Sequence, residues 1–124
     1  MRTLMTLALC LITNATLAAT QMTPEEAAEF SRSVQMCWSL DRSSPAVSVT
    51  VALAMELNPD GKLKPETIKL ISHSEADENA VRLAFEAGRR AILRCQRSGY
   101  DLPEEKYPLW KRMEITFDPS EFVQ

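Results

Sequence analysis

Val47-Ser48-Val49-Thr50-Val51-Ala52-Leu53-Ala54-Met55-Glu56-Leu57, followed by Asn58-Pro59-Asp60-Gly61, decides the fold. Val47, Val49, Val51, Leu53, Met55 and Leu57 alternate with small or polar residues, which predicts a strand over 47–57 with one buried face. Pro59 presets φ and Gly61 accepts positive φ, so 58–61 reads as a hairpin turn. Leu63 to Ile71 returns as a second strand. Its apolar phase slips between Leu63 and Ile68 with Pro65 in between, so a bulge is expected there.

Working outward, Ser74-Glu75-Ala76-Asp77 can cap a helix on which Val81, Ala84, Phe85, Gly88, Ala91, Ile92 and Cys95 keep helical spacing. On the N-terminal side, Thr23-Pro24-Glu25-Glu26 is a capping box with proline at the first helical position. Ala27, Phe30, Val34 and Cys37 then share a face, and that helix should end near Cys37-Trp38, before the polar loop 39–45. Beyond Cys95, a loop framed by Pro103 and Pro108 leads to a third strand, Lys111 to Phe117. The order helix, strand, strand, helix, strand implies an α+β fold, a three-stranded antiparallel sheet with helices packed on one face.

The first 18 residues have another character. Met1-Arg2 is a short positive start, Leu4 to Ile12 is apolar apart from Thr6, and residues 13–19 turn small and polar. This is the pattern of a secretory signal peptide, best cleaved after Ala18. The apolar stretch is too short for a comfortable membrane span, which needs about 20 residues. The expected mature protein is one domain, residues 19–124, soluble in the periplasm, with a membrane met only during export.

Lys and Arg number 14 against 17 Asp and Glu, a formal charge of −3. Loss of Arg2 with the signal takes it one further, to about −4. Such a chain is a poor candidate for nucleic-acid binding, which favours concentrated positive charge. Cys10 leaves with the signal, so Cys37 and Cys95 form an even pair in an oxidising compartment and are expected to be disulfide-bonded. Two cysteines and a lone His73 fall short of a structural zinc site.

Catalytic signatures are wanting. His73 lies between Ser72 and Ser74, but neighbours on a strand end point different ways and no orienting carboxylate is evident. The carboxylates sit mostly in caps and turns, and nothing marks two of them as an acid/base pair. Asn58-Pro59-Asp60-Gly61 lacks the further ligands of a calcium loop. Arg82, Glu86, Arg89, Arg90 and Arg94 read as a solvated helix face, with an acidic partner surface as the alternative. Trp38, Tyr100, Tyr107 and Trp110 would either form a binding platform or close the edge of a small core.

The chain resembles the C-terminal domain of the TolA proteins of Gram-negative envelopes, especially the alphaproteobacterial form, within the wider TonB/TolA C-terminal group. Five features carry the resemblance. They are Cys37-Trp38, the strand ending Leu57-Asn58-Pro59-Asp60-Gly61, the helix ending Arg94-Cys95, the run Tyr100 to Tyr107 followed by Trp110, and Phe117-Asp118-Pro119. The resemblance implies a non-enzymatic module without cofactors that binds a periplasmic or outer-membrane-associated protein segment in the service of envelope integrity. It also implies binding along an exposed sheet edge. The membrane anchor and helical stalk of a full TolA are not expected here. Arg112, Met113, Glu114, Ile115, Thr116 and Phe117 are the expected partner-binding strand. The third strand joins by a long connection and suits an edge, and its polar outward residues are common guards of such edges. A secreted inhibitor or accessory subunit using the aromatic loops is the alternative.

Overall fold

A computed structural model describes residues 22–121 of the chain, so the expected signal peptide lies outside the described residues. Helix α1 spans Pro24–Gln35. Its capping box forms as the sequence predicts: Thr23 Oγ1 accepts the Glu26 N–H and the Glu26 carboxylate accepts the Thr23 N–H. The apolar stripe buries Phe30 and Val34.

The central strand β1 covers Val51–Leu57, shorter than the expected 47–57. Residues Pro45–Ser48 form a 3₁₀ turn instead. Ser44 caps that turn by accepting the Ala46 N–H, and Pro45 supplies its fixed φ at the start. Ala46 and Val49, three residues apart, are the ones buried here, which is the 3₁₀ period rather than the strand period.

Strand β2 runs Leu63–His73 and pairs antiparallel with β1. The expected irregularity is present: Ala54 pairs with Lys69 but Glu56 with Lys64, and a second shift lies between Ala52 and Leu53. Glu56 N–H donates to the Thr67 hydroxyl within the first bulge. At the turn, Gly61 has φ +84, and a Cβ there would collide with the Tyr100 carbonyl. The Tyr100 N–H donates to Gly61 O at 2.9 Å, so the hairpin tip and the chain after the second helix lock together.

Helix α2, Glu78–Cys95, is capped by Asp77. A Cβ on Gly88 would stand 2.9 Å from the Phe117 ring, so the helix sits close on the sheet. The segment after it contains a 3₁₀ turn, Glu104–Lys106, and a four-residue helix α3, Tyr107–Trp110. Strand β3, Arg112–Phe117, completes a sheet of order β2-β1-β3. The fold is thus the expected α+β arrangement around an antiparallel sheet.

The core lies between sheet and helices, with Leu53, Met55, Leu57, Ile92, Trp110 and Phe117 among its fully buried side chains. Burial of such residues is worth roughly 1.5–3 kcal/mol each before chain entropy is counted. Cys37 and Cys95 are joined in a disulfide with Cα atoms 5.8 Å apart, tying the end of α1 to the last residue of α2.

Candidate functional site

The expected partner-binding residues, Arg112 to Phe117, form an outer strand of the sheet. Their side chains alternate as expected: Ile115 and Phe117 are buried and Met113 half-buried, while Arg112, Glu114 and Thr116 are exposed. Arg112 and Glu114 are joined by an ion pair at 2.7 Å.

The direction of the backbone follows from two contacts. Leu57 N–H donates to Lys111 O at 2.9 Å, so Lys111 faces β1. In an antiparallel ladder a residue's N–H and C=O point to the same side and alternate along the strand. Met113, Ile115 and Phe117 therefore bond to β1, and Arg112, Glu114 and Thr116 turn their backbone groups to the outer edge, beyond which no strand lies among the described residues. Independently, the side-chain amide of Gln35, at the end of α1, donates to Thr116 O at 3.2 Å from the side away from β1.

The edge is bounded at both ends. Helix α3 leads into it, with Lys111 N–H bonded to Tyr107 O. At the far end Gln35 caps Thr116, and Asp118 folds the chain back. The Asp118 carboxyl accepts the Ser120 hydroxyl and N–H and the Thr50 hydroxyl. Those bonds, Ser120's hydroxyl foremost, hold its pKa below the ordinary carboxylate value. Between these ends the β1–β3 register is unbroken from Glu56–Arg112 to Val51–Phe117. The opposite edge, on β2, carries Pro65 and two register shifts, features that disfavour an added strand.

The aromatic residues of the loops are committed elsewhere. Trp38, Tyr100 and Trp110 are buried, and Tyr107 packs edge-on against Trp110 at 4.8 Å. Tyr100 donates to Ile92 O, Tyr107 to Leu57 O, and Trp110 Nε1 to Pro103 O. Burial pushes the Tyr100 phenol pKa upward. His73 is the exposed last residue of β2, with Nδ1 2.7 Å from Ser74 O. An open groove of about 680 Å³ lies between α1 and the loop 101–103, lined in part by Glu25, Glu29 and Asp101.

Gln35 was the site residue that sequence reasoning missed. It stands 81 positions from Thr116, and no local pattern connects them. No protein-family model, no curated protein and no solved structure matches this chain.

Proposed function

We propose that this chain is a non-enzymatic periplasmic binding module related to the TolA C-terminal domain, acting in cell-envelope integrity, and that it captures an extended partner segment by strand addition to β3. The observation that carries the reading is the unbulged edge on which Arg112, Glu114 and Thr116 turn their backbone groups outward. Main-chain bonds there would give affinity, and side-chain neighbours the register. The bounded length of the edge favours a short segment of about five residues. An acidic side chain beside Arg112 and a basic one beside Glu114 would suit its polar face. The disulfide accords with an oxidising compartment. The alternative, an inhibitor or accessory subunit binding through its aromatic loops, is less favoured because most of those rings are packed in the core.

Glu114→Pro tests the proposal. It removes one outward N–H and leaves the bonds to β1 in place, a position where edge strands tolerate proline. Wild-type and variant chains would be used side by side to capture partners from a periplasmic extract. The expected result is unchanged circular dichroism with at least about a tenfold loss of affinity for the captured protein. Equal capture by a folded variant refutes strand addition at β3.

A further inference from the structure

Arginine is concentrated on the outer side of α2. Arg82 is engaged, bonded to Glu86 at 3.2 Å and to Asn79 at 2.6 Å. Arg90 and Arg94, exposed on successive turns, and Arg97 just past the helix form no hydrogen bond or ion pair among the described residues. Arg89 lies half-buried beside them. The patch continues onto the hairpin, because the Gln96 side chain accepts the Leu63 N–H at 2.8 Å and so brings exposed Lys62 to this end of the helix. Two carboxylates border the patch: Asp60, which accepts the Lys62 N–H, and Glu86, one turn before Arg90 on α2 and already paired with Arg82.

Ordinary helix chemistry accounts for part of this. A cation in the last turn is favoured by the helix dipole, which covers Arg94. It does not cover Arg89 and Arg90, more than one turn earlier. Nor does it explain Arg97, which holds φ +46 just past the helix, a position usually given to glycine. The chain as a whole is acidic, so this local excess of positive charge runs against its composition.

We infer that the Arg90–Arg94–Arg97 stripe is a docking surface for an anionic phospholipid bilayer. Charge complementarity selects an anionic partner. The lack of apolar anchors favours a lipid headgroup surface over a protein. Among the described residues the exposed large apolar side chains, Met36, Leu70, Ile71 and Leu109, all lie off α2, so the stripe there carries none of the apolar anchors on which tight protein interfaces depend. Guanidinium groups suit phosphate oxygens in particular. The contact is peripheral, reversible and sensitive to salt, and it adds to the transient encounter with a membrane expected during export. It is independent of the β3 edge.

Co-sedimentation of the full chain with phosphatidylglycerol or phosphatidylcholine vesicles tests the inference. The N-terminal stretch, with its own Arg2, is common to every sample, so binding is assigned to the stripe by its dependence on these three arginines. Binding to phosphatidylglycerol should exceed binding to phosphatidylcholine. It should fall about a hundredfold in Arg90→Gln/Arg94→Gln/Arg97→Gln, from about fivefold per arginine at low salt. Circular dichroism establishes that the triple variant is folded, and the salt dependence of the wild-type chain gives a reading that needs no variant. Equal binding to both lipids, no loss in the folded triple variant, or no weakening with salt overturns the proposal. So does binding to a poly-glutamate peptide without binding to phosphatidylglycerol, which would assign the stripe to an acidic protein.

Discussion

Lys106 is the buried charged residue among those described, 9% exposed. Its ammonium donates to Glu26 Oε1 at 2.8 Å, the same oxygen that accepts the Thr23 N–H. One carboxylate thus closes the capping box of α1 and neutralises a cation brought in by the distant loop. The Lys106 hydrogen bond first, then the Thr23 N–H, hold the Glu26 carboxyl below its ordinary value of 4.5, against a smaller opposing effect of burial. A lowered folded-state pKa means that the stabilisation is complete above that ordinary value and is lost as pH falls through the lowered one. Glu26→Gln should therefore lower the melting temperature at neutral pH, because Lys106 loses its counter-charge. The gap between variant and wild type should close in acid. Thermal melts across that range check this, and a gap that persists undiminished in acid would rule it out. The capping box was legible because its partners are three residues apart. The ion pair was not, because 80 residues separate its members and only the folded chain joins them.

At the scale of elements, the sequence pattern was most informative where one period dominates. Val51, Leu53, Met55 and Leu57 alternate with smaller or polar residues and form a strand; residues 45–49 fit period two through Val47 and Val49 and period three through Ala46 and Val49. Local chemistry at Ser44 and Pro45 decided for the turn. The bulge in β2 was readable because a phase slip and a proline coincide. The edge position of β3 was expected from its long connection, whereas the direction of its backbone groups needed the Leu57–Lys111 bond. That direction has a measurable consequence in amide exchange. Met113 and Ile115 amides, bonded to β1, should exchange about a thousandfold more slowly than the Glu114 amide, which faces solvent. Nuclear magnetic resonance of the free protein resolves these residues individually. A Glu114 amide as protected as its neighbours would mean that the edge is already covered and cannot receive a partner.

For the whole molecule, the disulfide sets how the parts depend on one another. Cys37 and Cys95 are 58 positions apart, and the loop they close contains β1, β2 and most of α2. Strand β3 lies outside that loop and pairs with β1, its central strand. Closing such a loop lowers the entropy of the unfolded chain and stabilises the fold by about 4 kcal/mol in the chain-entropy model. That is a large share of the roughly 5–15 kcal/mol typical of a domain. The bond also stands two residues beyond Gln35, whose amide caps the end of the β3 edge, so one cross-link supports both core and candidate site. Cys37→Ser/Cys95→Ser should therefore lose about 3–5 kcal/mol in urea titrations. The slope of the titration should rise somewhat, because the denatured chain without the cross-link is less compact and exposes more surface, while the midpoint falls. Adding reductant to the wild-type chain should shift the midpoint the same way. An unchanged midpoint in both experiments would show that the apolar core between α2 and the sheet holds the molecule without the cross-link.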